Sequence, residues 1–501
     1  MTDSVSSTSS PTTTRSAEPT RFWTALWQLL HRYAGLFIAP FIFVAAFTGM
    51  LYAITPALEQ WLYQDQLTVP PTQQSAQPLS RQVEAAQQHL SPHANIVAVR
   101  PADTPTQSSR IIFNDPSRNL SNQAVFIDPY TLQIKGQLAV YGTSGVLPLR
   151  TTLDHLHRDL LLGETGRLYS ELAASWLGLL ALSGFYQWIK KRKILAKAVS
   201  PSGHLGRRLK RQQLHSWLGL IILPFLVFFS VTGLTWSNWA GDQIGVIRQV
   251  LGWQTPVLQN KLQAHGSSHQ FATSQPSSHE HGDGHQSLAP EHTAHQALST
   301  QNLSDGSVQT LPAQPTWQAS NFDTALGLAR EHGLTASKLQ IRPARDRQST
   351  WIVEEIDHRW PIQVDSVSLD ISRRTVVDQL QFEQYPLVAK LIRWGIDAHI
   401  GVLFGWLNQL VLALVSALLC LTIVVAYRAW GLTHHLRQAT MQFARDTRLM
   451  WQRASLVQKI SLTLLLIALS IALPVFGFSI AIALVYIGLT AQFQKQSQNQ
   501  S

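Results

Sequence analysis

Four histidines lie at the ends of long apolar stretches and recur at fixed spacings. His31 and His215 are 184 residues apart, and His157 and His399 are 242 residues apart. Imidazole is the commonest protein ligand for metals, and it binds through a neutral ring nitrogen. A single histidine at the end of an apolar helix is often only a polar group at an interface. Four of them in two repeated pairs favour a functional role, and we expect two sites with two imidazoles each.

Five apolar runs are long enough, or nearly so, for the roughly 20 residues that a membrane-spanning helix needs. The runs are 33–58, 172–189, 212–241, 398–427 and 460–494. Charged residues make up 14% of the chain, against roughly a quarter in soluble proteins. The composition therefore predicts an integral membrane protein that is mainly α-helical. Pro474 interrupts the last run, which predicts one kinked span or a shallow hairpin.

Charge next to the runs predicts their orientation. Segment 190–211 contains nine Lys or Arg residues and no acidic residue, and segment 428–459 contains six with only Asp446. The positive-inside rule places both segments in the cytoplasm. The basic residues behind the net charge of +10 thus lie next to the apolar runs, as membrane topology requires. We therefore expect no nucleic-acid partner. We predict a multi-pass protein of a bacterial inner membrane, in contact with the lipid bilayer, with its large loops in the periplasm.

The predicted segments follow the chain in order. They are a disordered cytoplasmic tail 1–23, helix one 24–58, a periplasmic domain 59–169, helix two 170–189, the basic loop 190–211, helix three 212–241, a second periplasmic domain 242–397, helix four 398–427, the connection 428–459, a helix or hairpin 460–494 and the tail 495–501.

An internal repeat relates the two halves of the chain. Eight residues of the first run recur 184 positions later, among them His31, Gly35, Thr48 and Gly49. Runs two and four match more weakly at an offset of 242. The repeat predicts a four-helix transmembrane core built from two parallel helix–domain–helix copies. The fifth run adds a C-terminal helix, and segments 82–136 and 322–382 predict two small α+β exterior domains.

The helix orientations sort the histidines into two layers, with His31 and His215 on the cytoplasmic side and His157 and His399 on the exterior side. Facing helices of a bundle often hold a cofactor between them, and two imidazoles fill both axial positions of a low-spin haem iron. Cys420 is the single cysteine, so covalent haem attachment is excluded. We therefore expect two non-covalent haem b groups.

Two glycines fit this interpretation. Gly35 and Gly219 follow His31 and His215 by four residues, on the same helix face. A missing side chain there leaves room for a flat porphyrin, although close packing of two helices would need the same glycines.

Other polar residues near the histidines leave alternatives open. Arg32, Arg158 and Arg393 are candidates to pair with haem propionates, or their side chains simply extend to the interface. His155 competes with His157 as a ligand. We prefer His157 because it aligns with His399 in the repeat.

Segment 265–295 contains seven histidines among Ser, Gln, Gly and Pro. Its composition predicts a flexible loop. His279, His281 and His285 are candidates for weak binding of a divalent ion, and an inert linker is the alternative.

Four short motifs together resemble the PepSY-associated transmembrane family. They are H-x-x-x-G at a helix start, T-G further along the same helix, H-R-D-L-L-L-G at 157–163 and A-H-I-G-x-L-F-G at 398–405. The resemblance covers about residues 24–430, and the exterior domains look like the family's PepSY domains. It implies an iron-linked protein of the bacterial inner membrane, similar to reductases that release iron from ferric siderophores, with His31, His157, His215 and His399 as haem ligands.

The leading hypothesis is a haem-dependent oxidoreductase that passes electrons from the cytoplasmic side to a periplasmic acceptor such as a ferric siderophore. The sequence has no G-x-G-x-x-G or P-loop motif, so a separate flavoprotein or quinol is expected as donor. The second hypothesis is a non-redox metal-binding or metal-transport protein that uses the histidine-rich loop. A third is a regulatory module.

Overall fold

The computed structural model describes residues 19–118, 122–141, 145–197, 203–262, 317–430 and 436–499. Within these ranges the protein is mainly helical, with one antiparallel sheet. The helices are α1 Pro19–Phe37, α2 Ala39–Leu62, α3 Gln64–Leu67, α4 Leu79–His89, α5 Pro148–Asp159, α6 Gly163–Lys197, α7 Gly203–Thr235, α8 Trp239–Val250, α9 Ser320–Glu331, α10 Leu387–His399, α11 Trp406–Trp430, α12 Leu436–Arg453, α13 Leu456–Ala472 and α14 Pro474–Asn499.

Five helices in the described part of the chain are long and apolar enough to cross a membrane. These candidate spans are Ala39–Leu62, Gly163–Lys190, Gly206–Thr235, Trp406–Trp430 and Pro474–Phe493. Each overlaps one of the five apolar runs of the sequence. At about 1.5 Å per residue, the shortest, of 20 residues, is as long as the roughly 30 Å hydrocarbon core is thick.

The break between α1 and α2 has a local cause. Pro40 has no N–H, so it cannot donate to the carbonyl of Leu36 one turn earlier. The hydroxyl of Tyr427 donates to that carbonyl instead, at 2.7 Å. The first apolar run is therefore divided at Ile38 between two helices.

The last apolar run forms two helices. α13 ends at Ala472 and α14 begins at Pro474, whose ring prevents the helix from continuing. A Cβ atom on Gly477 would lie 2.6 Å from the Cβ of Ser470, so the chain folds back sharply at this break. α12, which precedes α13, also contacts α14. Of the two predicted forms, these contacts favour the hairpin.

Two histidine-bearing helices are separate from the spans that follow them, whereas the sequence predicted His399 at the start of helix four. His157 lies on α5 and His399 is the last residue of α10. Left-handed backbone separates each from its span, at Leu160, Leu161 and Gly163 after α5. Gly401, Phe404 and Gly405 do the same after α10, because a helix cannot pass through residues with positive φ.

Eight strands form one sheet of order β4-β3-β2-β1-β5-β6-β7-β8, in which all neighbours are antiparallel. The strands are β1 Asn95–Arg100, β2 Ser109–Asn114, β3 Gln123–Ile127, β4 Ile134–Ala139, β5 Leu339–Arg342, β6 Trp351–Glu355, β7 Ser366–Asp370 and β8 Thr375–Leu380. The two α+β modules predicted from the sequence are therefore joined. Their first strands would be open edges if the modules were separate, and they pair at Val99 and Ile341.

Both modules share a hydrophobic core on the sheet. α4 and α9 contact each other, and Val83, Phe322, Val99 and Ile341 belong to one buried cluster. The carboxylate of Asp323 accepts hydrogen bonds from the backbone N–H groups of Leu79 and Ser80, at 2.7 and 3.2 Å. Asp323 of the second module thus caps α4, the helix of the first module.

The chain divides into two compact units. One contains the described parts of Met1–Pro40, Leu172–Val227 and Leu421–Ser501. The other contains those of Phe41–Glu171 and Phe228–Cys420, including the whole sheet. His31 and His215 belong to the first unit, and His157 and His399 belong to the second.

Candidate functional site

The first histidine pair, His31 and His215, is brought together by α1 and α7. The two ring centres are 6.1 Å apart, and the ring planes are inclined at 62°. When two imidazoles bind one metal ion from opposite sides at about 2 Å from each nitrogen, their ring centres are roughly 6 Å apart. The separation in this pair would therefore suit one metal ion held by His31 and His215.

Both rings of the first pair are oriented through Nδ1. The Nδ1 of His31 lies 3.2 Å from the carbonyl of Leu180 and 3.0 Å from the hydroxyl of Ser183. The Nδ1 of His215 lies 3.1 Å from the carbonyl of Thr422. Leu180 and Thr422 are 242 residues apart, the same offset as in the sequence repeat. The two rings therefore have equivalent partners on α6 and α11.

The second histidine pair, His157 and His399, is oriented in the same way. The Nδ1 of His157 lies 3.0 Å from the carbonyl of Ala45 and 3.1 Å from the hydroxyl of Thr48. The Nδ1 of His399 lies 2.6 Å from the hydroxyl of Thr232. Thr48 and Thr232 are the recurring threonines of the 184-residue repeat.

These contacts determine the tautomer of the rings. A carbonyl oxygen can only accept, so the Nδ1 of His31, His157 and His215 must carry the proton. The hydroxyl of Thr232 donates its one hydrogen to the carbonyl of Phe228 at 2.7 Å. Its oxygen must therefore accept the hydrogen bond from Nδ1 of His399. In each ring, when it is neutral, the lone pair is then on Nε2. Metal-bound histidines commonly have this arrangement, in which the second ring nitrogen donates to a carbonyl or hydroxyl.

Burial keeps the second pair neutral. Burial lowers the pKa of the His157 imidazole, more than the nearby charge of Asp154 raises it. Burial, and to a smaller extent a positive charge on His157, together lower the pKa of His399 to about 3. An imidazole must be unprotonated to bind a metal, and both rings meet that condition near pH 7.

Small and aromatic residues surround the rings. A Cβ on Gly49 would lie 3.2 Å from Cε1 of His157, and one on Gly184 would lie 2.9 Å from Cε1 of His31. The ring of Trp236 meets that of His399 edge to face at 5.6 Å. The two glycines leave space for the imidazoles. Sequence reasoning gave them no role, although Gly49 recurs in the repeat with Thr48.

The two glycines that the sequence singled out lie in more open surroundings. A Cβ on Gly35 would meet only Leu180, at 3.9 Å, and one on Gly219 would meet no atom within 4 Å among the described residues. Neither glycine is thus in close contact with a neighbouring helix backbone, so tight helix packing does not explain them. The space beside both is compatible with a flat group.

The arginines near the histidines pair mainly within the protein. Arg158 lies 3.6 Å from Asp154 and 3.3 Å from Asp159. Its guanidinium also lies 3.0 Å from Nδ1 of His155, which is not the ring that faces Thr48. His155 thus belongs to an ion-pair cluster, whereas His157 takes the position that the repeat predicts.

Arg393 and Arg32 have partners of different kinds. Arg393 lies 3.1 Å from Asp397 and contacts the ring of His358, whereas Arg32 reaches the amide of Gln442 at 3.4 Å.

One arginine that sequence reasoning missed lies next to the second pair. The Nε of Arg150 donates to the hydroxyl of Tyr52 at 2.9 Å, and its guanidinium reaches the carbonyl of Ile400 at 3.5 Å. Ile400 directly follows His399. Arg150 has no repeat partner of the same type, so no pattern in the sequence points to it.

The part of the chain with a described structure contains no group of three or more His, Cys, Asp or Glu side chains that could hold a metal ion. The histidine pairs each offer two ligands, which a porphyrin would complete with four nitrogens. His279, His281 and His285 of the histidine-rich loop lie outside the described residues.

Comparison with known proteins places these residues in a family. The family model described as the PepSY-associated TM region matches residues 28–432, and this range includes all four paired histidines. No curated protein matches the chain.

Proposed function

Because the chain belongs to the family of PepSY-associated transmembrane regions, we propose that it is a di-haem b electron-transfer protein of the bacterial inner membrane. Its acceptor is a periplasmic ferric compound, most simply ferric iron in a siderophore, and its role is in iron acquisition. The proposal names four haem ligands, His31 with His215 and His157 with His399.

The observation that supports this function best is the common state of the four rings. Each turns Nδ1 towards an acceptor on a neighbouring helix and leaves Nε2 as the ligand atom. Such hydrogen bonds fix the direction of the ring and strengthen it as a ligand. The 6.1 Å between the ring centres of the first pair also supports the proposal, because two histidines without a common ligand would not need this separation.

Two protein ligands at each site also indicate the kind of chemistry. A haem held by two of these histidines would supply a one-electron redox centre. The residues of this chain hold the ligand rings neutral and fixed, so that little rearrangement accompanies a change of charge. Electron transfer rather than binding of a substrate to the iron is the activity that such a site favours.

The direction of transfer follows from the charge pattern of the sequence. Segment 190–211 and segment 428–459 are strongly basic, which favours a cytoplasmic position. Arg192 and Arg211 of segment 190–211 are exposed, and an acidic flavoprotein could dock against such side chains. A membrane quinol is the other donor that the proposal allows. Electrons leave the protein on the periplasmic side.

A visible spectrum of the purified protein tests the cofactor. We expect reduced-minus-oxidised bands of b-type haem and two haems per chain by extraction. Protein that is folded and free of haem after expression with ample haem supply would refute the proposal.

Vesicles test the direction. The protein is placed in sealed right-side-out membrane vesicles, with reductant inside and a membrane-impermeant ferric chelate outside. We expect reduction of the chelate by the native protein and a strong loss of the rate for His215→Ala, with His332→Ala, a surface histidine of α9's end, as the matched control. An unchanged rate in His215→Ala would contradict the proposed path.

A further inference from the structure

Helix α8 exposes one apolar face. The side chain of Val250 is 78% exposed, and Val246, Ile247 and Leu251 are each at least half exposed. On a helix these positions share one side with Trp239, while Asp242 and Gln249 lie beside them on a polar flank. An apolar face of this size in water is unfavourable, so α8 needs a partner of apolar chemistry.

The start of α8 is fixed to a membrane span. The carboxylate of Glu171, which is buried on α6, accepts hydrogen bonds from the backbone N–H groups of Trp239 and Ala240, both at 3.1 Å. Asn238 donates to Glu164 on the same helix at 2.8 Å. These bonds hold the first turn of α8 next to the first turns of the candidate span Gly163–Lys190.

The other spans carry exposed apolar residues at the ends that lead to the sheet. Trp61 at the end of α2 and Trp406 at the start of α11 are strongly exposed, as are Leu161 and Leu162 just before α6. Tryptophan is enriched where a bilayer meets water. α8 begins four residues after the span of α7 ends at Thr235, so its exposed face follows directly on the end of a span in the chain.

The first half of the chain treats the corresponding segment differently. After α2 the single turn α3 packs against the sheet, and Leu67 and Val69 are buried, at 6% and 4% exposure. Leu67 packs with Ile112 and Phe126 of the sheet. α8 is therefore not a copy of α3, and its apolar residues are not used to cover the sheet.

We propose that α8 lies in the plane of the bilayer surface, with its apolar face in the acyl chains of the leaflet nearest the sheet. The occupant of this face is lipid. Amphipathic helices of this kind sink about 5–10 Å into the boundary between headgroups and acyl chains. The proposal does not depend on haem binding.

The anchor acts on the sheet because the chain after α8 is attached to it. The N–H of Gln259 donates to the carboxylate of Asp378 on β8, at 2.8 Å. The N–H of Leu262 donates to the carbonyl of Gln348 at 2.7 Å. The bilayer surface thus holds the edge of the sheet that β8 forms.

Nitroxide labels test the location of α8. The labels are introduced by Val250→Cys on the apolar face and by Gln249→Cys on the polar flank, both in a Cys420→Ala background. The protein is placed in liposomes of phosphatidylethanolamine and phosphatidylglycerol. Collision rates are measured with oxygen, which concentrates in lipid, and with a water-soluble nickel chelate.

We expect the ratio of oxygen to nickel collisions to be at least tenfold higher for Val250→Cys than for Gln249→Cys. Equal ratios would mean that α8 lies in water and would overturn the proposal. A label at position 250 that is shielded from both reagents would mean that protein covers the face, and this too would overturn it. Ile247→Cys repeats the measurement at a second apolar position, and circular dichroism checks the fold of each variant.

Discussion

Replacing Thr232 by valine should weaken haem binding at the second histidine pair, because valine has nearly the shape of threonine but lacks its hydroxyl. The hydroxyl of Thr232, at 2.6 Å, is the described hydrogen-bond partner of Nδ1 of His399, and valine removes it. Loss of such an outer hydrogen bond typically lowers metal affinity by about 10–100-fold, which corresponds to roughly 1.4–2.7 kcal/mol. We expect haem at this pair to dissociate faster by a similar factor.

Thr48 provides a matched comparison in the same molecule. The hydroxyl of Thr48 contacts Nδ1 of His157 at 3.1 Å, but the carbonyl of Ala45 contacts the same atom at 3.0 Å. Thr48→Val therefore leaves His157 with an acceptor, and its effect should not exceed about 0.5–1.5 kcal/mol, a factor of roughly ten or less. Each substitution also removes the bond from the threonine hydroxyl to its own helix, so that loss cancels in the comparison.

The measurement is the transfer of haem from the purified protein to excess apomyoglobin, followed by absorbance. One of two haems per chain should leave fastest in Thr232→Val, more slowly in Thr48→Val, and at the native rate in Thr232→Ser, which restores the hydroxyl. The reasoning fails if Thr48→Val has the larger effect, or if Thr232→Val and Thr232→Ser behave alike.

Three further predictions address the rest of the site. His215→Ala should remove about one haem per chain and spare the other, because its partner His31 cannot hold the iron alone; extraction that finds two haems, or none, would contradict the pairing. Gly184→Ala should lower the free energy of unfolding by about 1–3 kcal/mol and reduce haem binding at the first pair, since the new Cβ would lie 2.9 Å from the His31 ring. Gly488→Ala, whose Cβ meets no described atom within 4 Å, is the control. Equal haem content and melting temperature in the two variants would refute this prediction. Deletion of 265–295 should leave haem content unchanged and alter only the binding of divalent ions; a folded, haem-free deletion variant would show that the loop has a role at the haem sites.

The sequence predicted the parts of the structure that depend on composition and period. The apolar runs identified the candidate spans, and the offsets of 184 and 242 residues identified which histidines belong together. His31 and His215 lie side by side in the structure, whereas the pairing of His157 with His399 at one haem stays a prediction. These features are visible in a sequence because each depends on residue type at a regular spacing.

Features that depend on contacts between distant segments were missed. Leu160 and Leu161 adopt left-handed backbone, which leucine alone does not predict. The carboxylate of Asp159 accepts a hydrogen bond from the N–H of Leu161, which supports this left-handed turn. The single eight-stranded sheet was missed as well, because each module on its own accounts for four strands and nothing in its pattern shows that β1 and β5 pair.

The seam of the sheet bears on the ancestry of the protein. Val99 pairs with Ile341, the residue 242 positions later, so two equivalent strands meet antiparallel at equivalent residues. Such self-complementary contact is what a homodimer with a two-fold axis makes. Each histidine pair likewise takes one ring from either half, so a lone half could complete neither. Duplication and fusion of a gene for half of this chain would leave such a pairing of equivalent strands, with either half free from then on to diverge in sequence.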